Sequence, residues 1–197
     1  MSLHADALTT LRAWTPPTAE QAALRQRFVT HLASHADGLA RDCRPDHITA
    51  STLVLSHDLA SALLTLHAKA AAWFQLGGHC EPDDHSLAGA AMREAVEESG
   101  VPDLLLDPLP VQLSEHAVPF CGPDGDVHHL DVRFVAIAPA DARHAVSDES
   151  LDVRWWPVAA LPDAGADLVE LVGLALGRAQ WSSGGGSSRA AADQPSR

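Results

Sequence analysis

The sequence predicts an α/β sandwich with a mixed sheet, preceded by an N-terminal helix. Three observations point there. Apolar and β-branched runs fall before and after a single short helix, and a second helix closes the chain. The 197 residues with 46% hydrophobic content suffice for one sizeable core. Paired glycines, Gly77-Gly78, stand between the first group of strands and the helix, where a tight turn is needed.

Taken in order, Thr18 and Glu20 precede apolar positions Ala22, Leu24, Phe28, Leu32 and Ala33 at helical spacing, which predicts a helix near 19–35. His47 to Ser56 and Ser61 to Ala68 read as strands around a turn at His57-Asp58, and Trp73 to Leu76 leads into the glycines. Trp73 and Phe74 read as core residues. Asp83, Asp84 and Ser86 suit the N-terminus of the next helix, and Gly100 followed by Pro102 supplies its stop. Val111 to Phe120 and Val127 to Ala138 read as strands separated by the turn signal Cys121-Gly122-Pro123-Asp124-Gly125-Asp126. Val153 to Val158 is a further strand, in which Trp155 and Trp156 point to opposite faces, one toward the core. Leu168, Leu171, Val172, Ala175 and Leu176 line one side of a closing helix over 167–179. The Gly/Ser-rich tail cannot bury apolar surface. The expected organisation is an N-terminal helical extension over 1–45, a main domain over 46–180 and a flexible tail over 181–197.

The chemistry concentrates on Arg93-Glu94-Ala95-Val96-Glu97-Glu98-Ser99-Gly100-Val101. At about 100° per residue, Glu94, Glu97 and Glu98 occupy one arc of the helix, while Ala88, Met92, Ala95 and Val96 occupy the other. Three like charges so close repel one another, and a hard divalent cation that takes carboxylate oxygens relieves the conflict. Arg93, four residues before Glu97, is spaced to pair with it. The plainer alternative is a solvated acidic face on a surface helix.

This segment resembles the signature of the Nudix hydrolases, G-x5-E-x7-R-E-U-x-E-E-x-G-U, where U is aliphatic. From Arg93 to Val101 every fixed position fits. The front half carries one extra residue, and the first glutamate of the pattern falls at Asp84 counting from Gly78 or at His85 counting from Arg93. A looser likeness over about residues 20–178, in His47-Ile48-Thr49-Ala50-Ser51, Gly77-Gly78-His79, His129-Leu130-Asp131-Val132-Arg133-Phe134 and Asp148-Glu149-Ser150, resembles a bacterial Nudix subgroup of unassigned substrate.

The resemblance implies a Nudix α/β/α fold and hydrolysis of a diphosphate linkage in a nucleoside diphosphate joined to another moiety. It further implies Mg²⁺ or Mn²⁺ on Glu94, Glu97, Glu98 and the Gly77 carbonyl, with Arg93 orienting Glu97. Glu94, Glu98 and Glu149 are the candidates for general base. His79 and His129 are candidate phosphate contacts, because a protonated imidazole suits an anion, and Arg133 shares a strand face with His129 and Asp131. For Arg133 a structural pairing with an acid is the simpler alternative.

Twelve histidines raise the question of zinc. His128 and His129 alternate across a strand and no His-Glu-x-x-His helix occurs, so a His–Cys zinc site is not expected. A formal charge of -13 argues against a nucleic-acid surface. The absence of a leader-like start or a long apolar run predicts a cytosolic protein with no membrane association. Cys43, Cys80 and Cys121 lack Cys-x-x-Cys pairing and read as free thiols. Monomer and homodimer are both compatible with the chain. Two other function classes stand beside the hydrolase: a non-catalytic nucleotide sensor, and an isopentenyl-diphosphate-type isomerase, for which Cys80 would be the cysteine to test.

Overall fold

The computed structural model describes residues 1–119, 121, 126–146, 150–162 and 165–184. The elements run α1 (Leu3–Ala13), α2 (Ala19–Ser34), β1 (Asp46–Leu55), β2 (Ser61–His67), β3 (Ala72–Phe74), β4 (Leu76–His79), α3 (Leu87–Ser99), β5 (Leu105–Leu106), β6 (Gln112–Ala117), β7 (His128–Ile137), β8 (Ser150–Pro157) and α4 (Ala166–Gly184). The α/β sandwich is present, with helices on both faces of one mixed sheet.

Parallel pairing of β1 with β7 forms the centre, in register from Asp46↔His128 to Leu55↔Ile137. The outer edge of β1 is shared, by β4 over Thr49–Thr52 and by β2 over Val54–Leu55. The outer edge of β7 is likewise divided between β6 and β5. β8 and β3 both pair antiparallel with β2. Because strand side chains alternate, the central pair has two different faces. Ile48, Ala50, Leu130, Val132 and Phe134 pack against α1, α2 and α3 through Leu11, Phe28, Leu32, Leu87, Ala90 and Ala91. On the other face, Leu53, Leu55 and Val135 lie under Leu168, Leu171, Val172 and Ala175 of α4. The remaining part of that second face is polar and is taken up below.

The N-terminal segment belongs to the core. Besides the expected α2, capped by the Thr18 side chain on the Gln21 amide, an eleven-residue α1 is present. Leu11 and Phe28 are fully buried, and the Gln21 side chain bonds both the amide and the carbonyl of Leu113 in β6. Asp6 of α1 accepts a 2.9 Å bond from the Leu87 amide, so a carboxylate from α1 sits at the N-terminus of α3.

Several expectations need adjustment. Trp73 is partly buried against the α4 cluster, but Phe74 is 40% exposed on the short strand β3 and is not a core residue. Trp155 and Trp156 do lie on opposite faces, yet both are partly buried, Trp155 on the α3 side and Trp156 on the α4 side. The closing helix continues to Gly184, into the segment expected as tail; residues 185–197 lie outside the described residues. Among the described residues no helix is long and apolar enough to cross a membrane. The three cysteines are free and buried.

Phe28→Ala removes a fully buried ring from α2 and is expected to cost about 3–5 kcal/mol. Urea unfolding checks this, and a loss near zero would mean that α2 is not part of the cooperative unit.

Candidate functional site

The geometry begins with α3. Ser86 caps its first turn by accepting from the Gly89 amide, and Gly100, at φ +65°, ends it in the left-handed conformation. Leu87, Ala90, Ala91, Ala95 and Ser99 form its buried side, and Thr52 of β1 bonds the Ala91 carbonyl at 3.0 Å. Small alanines allow this close approach, which fixes the helix against the sheet and leaves its acidic arc on the other side.

Arg93 is the centre of that arc. Its Nε and Nη2 donate to the two carboxylate oxygens of Asp84 at 3.2 and 3.0 Å, and Nη2 also reaches the His79 carbonyl at 2.9 Å. Nη1 donates to Glu94 and to Glu97, each at 3.0 Å. One planar guanidinium thus joins the loop before the helix, the end of β4 and two acids of the helix. Asp84 is the carboxylate that closes this arrangement, in the place where the resemblance leaves a missing glutamate. Burial pushes its carboxyl up, but the Arg93 hydrogen bonds and charge, together with the bond from the Glu81 amide, hold it below the usual range.

Glu98 accepts from the Gly77 amide at 2.8 Å. Gly77, at φ +152°, lies so close to β1 that a Cβ would stand 2.3 Å from the Ser51 Cβ. A Cβ on Gly78 would stand 2.8–2.9 Å from the Glu94 carboxylate. Close approach to the strand therefore requires glycine at position 77, while a side chain at position 78 would displace the Glu94 carboxylate. Glu97 is exposed, whereas Glu94 and Glu98 are half-buried. The structure brings Arg93, Glu94, Glu97, Glu98 and Gly77 to one place; Glu149 lies outside the described residues.

The other named residues occupy the polar part of the sheet's second face. Parallel register sets His47 beside His129, Thr49 beside Asp131 and Ser51 beside Arg133, while His79 of β4 stands opposite Thr49. Asp131 is fully enclosed and accepts from Thr49 (3.0 Å), Ser51 (2.7 Å), Gln75 (3.2 Å) and the Arg133 Nε (2.9 Å). Its burial would raise the carboxyl, and the charge of Arg133 holds it below the ordinary value. Arg133 itself is buried and also binds Gln112 at 2.8 Å and Asp167 at 2.6 Å. Its donors are committed to protein acceptors, so the structural pairing explains it and a free substrate contact does not.

His79 and His129 are not cations here. Burial, with His47 and Arg41 nearby, pushes His79 down to about 4, and burial with the neighbouring histidines pushes His129 down to about 3. Both rings are neutral near pH 7, which removes the charge argument for phosphate contact. Their Nε2 atoms instead converge on the Cys121 sulfur, each at 3.4 Å, with His47 Nε2 at 4.0 Å. Sequence reasoning missed this grouping, and His47 and Cys121 as members of it, because the four residues come from β1, β4, β7 and a loop. The signal available was the β1–β7 register, which is not written in residue spacing.

The comparisons with known proteins fit this geometry. Residues 45–172 match the NUDIX domain model, and the chain belongs to the Nudix family. Three solved structures share the fold. A Nudix-family hydrolase from Clostridium perfringens is 22% identical with a TM-score of 0.55, over 68% of this chain and 97% of that one. The Escherichia coli dihydroneopterin triphosphate pyrophosphohydrolase is 18% identical with a TM-score of 0.54, over 68% and 97%. A Caenorhabditis elegans Ap4A hydrolase is 18% identical with a TM-score of 0.53, over 70% and 98%. No curated protein gives a significant match.

Asp84→Asn keeps the shape but removes the charge facing Arg93, and is expected to cost about 1–3 kcal/mol at pH 7. A carboxyl depressed in the folded state stabilises above its unfolded value near 4 and loses that contribution as pH falls toward the folded value. The gap between wild type and Asp84→Asn in urea unfolding should therefore shrink below about pH 4. A gap unchanged from pH 7 to pH 3 would show that the Asp84 charge is not the source.

Proposed function

We propose that the chain is a metal-dependent pyrophosphohydrolase acting on a nucleoside diphosphate linked to a second moiety. The observation that carries this reading is the Arg93 hub, which holds Glu94 and Glu97 while Glu98 is held by the Gly77 amide. Acids fixed this way are spaced along one arc by a scaffold and not by mutual attraction. A surface cluster selected only for solubility has no need of it.

The residues suit a hard divalent cation. Gly78 leaves the Glu94 carboxylate room that any side chain would fill, and all three acids offer oxygen donors. Mg²⁺ or Mn²⁺ would be held by Glu94, Glu97, Glu98 and the Gly77 carbonyl. Bound there, the ion neutralises diphosphate oxygens and lowers the pKa of a coordinated water. Arg93 orients Glu94 and Glu97, and Asp84 and the His79 carbonyl orient Arg93. The Gly77 amide fixes the rotamer of Glu98. The proton of the attacking water passes to one of Glu94, Glu98 or Glu149. A nucleoside monophosphate and a phosphorylated moiety would leave.

The isomerase reading finds no support at Cys80. Burial, with Asp84 beside it, pushes that thiol up to about 12, so it stays protonated and unreactive near neutral pH. The sensor reading is separated from the hydrolase by turnover alone.

Turnover of nucleoside diphosphate derivatives with Mg²⁺ or Mn²⁺ should fall by about 10²-fold or more in Glu97→Gln and in Glu98→Gln. Cys80→Ala should leave it unchanged. Nucleotide binding without turnover across the panel would sink the hydrolase in favour of a sensor.

A further inference from the structure

We infer that His47, His79, His129 and Cys121 form a tetrahedral zinc site, separate from the carboxylates of α3, that ties Cys121 to strands β1, β4 and β7. The four donor atoms all lie within 4.8 Å of one another. In a tetrahedral site with Zn–N near 2.0–2.1 Å and Zn–S near 2.3 Å, a nitrogen and the sulfur stand roughly 3.5 Å apart. The observed separations from the sulfur are 3.4, 3.4 and 4.0 Å. The ring centroids of His47, His79 and His129 are 4.9–5.1 Å from one another.

Hydrogen bonding alone accounts poorly for this arrangement. A thiol has one proton, and sulfur is a weak acceptor, yet three Nε2 atoms are aimed at it. A single cation satisfies all four groups together. The rings are also prepared as ligands: His47 donates its Nδ1–H to the Cys43 carbonyl at 3.1 Å, which leaves Nε2 with its lone pair turned toward the sulfur. His47 is fully buried and Cys121 nearly so. Cys121 is turned inward by a local turn, its amide bonding the Val118 carbonyl at 2.9 Å, and by the Val118–Val127 backbone bond at 2.7 Å. Val118, Cys121 and Val127 make only a small cluster of their own. Among the described residues that is little apolar surface around Cys121, and a metal would supply what the packing lacks.

Three imidazoles and a thiolate select zinc over magnesium or manganese, which prefer oxygen. Four protein ligands leave no open position, so the site is structural and takes no part as a hydrolytic centre. On binding, the Cys121 thiol releases its proton to solvent and the histidines bind as neutral rings. The connection to α3 runs through His79, whose ring faces Cys121 while its carbonyl accepts from Arg93.

Metal analysis of the purified full chain should give about one zinc per chain after dialysis against a weak chelator, and below about a tenth of that in Cys121→Ser. Zinc content should be unchanged in Glu97→Gln. To separate loss of the metal from loss of structure in Cys121→Ser, the stripped wild type is also titrated with Co²⁺. Expected is a thiolate-to-cobalt charge-transfer band, with the intense visible absorption of tetrahedral cobalt, saturating at one equivalent. A folded wild type with no thiolate band, or equal zinc in wild type and Cys121→Ser, would overturn the site.

Discussion

The parallel register between β1 and β7 is the constraint on which the rest depends. Ten residue pairs from Asp46↔His128 to Leu55↔Ile137 decide which side chains share a face. In this register Ile48 and Leu130 go to the α1, α2 and α3 side, while His47 and His129, Thr49 and Asp131, and Ser51 and Arg133 go to the other. Slipping one strand by a single residue would exchange those sets, placing Asp131 in the apolar layer and a leucine among the histidines. The cost of burying an unpaired carboxylate makes the register steep in energy. Asp131 thus acts as a registration device, with Thr49 and Ser51 of β1 as the partners that recognise it.

From this frame the acidic arc of α3 is reached by way of β4. That short strand pairs with β1 over four residues and delivers Gly77, Gly78 and His79 in succession. Each meets a different partner: Gly77 the Glu98 carboxylate, Gly78 the space beside Glu94, and His79 both Arg93 and Cys121. Three consecutive residues therefore connect the helix acids with the imidazole–thiol group. A disturbance of either centre has a path of two bonded contacts to the other, through the backbone of His79.

Much of this was legible in the sequence, and the divisions are physical. Helical period and caps located α3 within a residue or two, and Arg93 with its acids is a local pattern that a single helix contains. Apolar and β-branched runs bounded by turn residues located β1, β2 and β7 for the same reason. Asp84 was legible as a departure from the family pattern, but its bidentate pairing with Arg93 depends on how the preceding loop folds back. The two-residue β5 and the exposed Phe74 are set by tertiary pairing, to which local propensity is blind. The adjacent pair divides as strand alternation requires: His128 turns to Asp46 and His129 to Cys121, on opposite faces. The grouping of His47, His79, His129 and Cys121 is invisible to residue spacing, because side chains drawn from three strands and a loop leave no characteristic interval. Conversely, Arg133 was placed on the correct face, and only the structure reveals that Asp131, Gln112 and Asp167 already occupy its donors.

The bond from the Leu87 amide to Asp6 reaches beyond helix capping. The family likeness begins at residue 45, yet a carboxylate from the sixth residue sits at the start of the helix that defines the family, and Phe28 and Leu11 fill the layer beneath it. The family match and the packed core therefore divide this chain at different points. A fragment trimmed to residues 45–172 would keep every acid of the signature while exposing Leu113, Phe134 and the sheet face around them. The segment that matches the family is smaller than the packed unit, and the leading residues serve as a built-in scaffold for the helix that carries the acids.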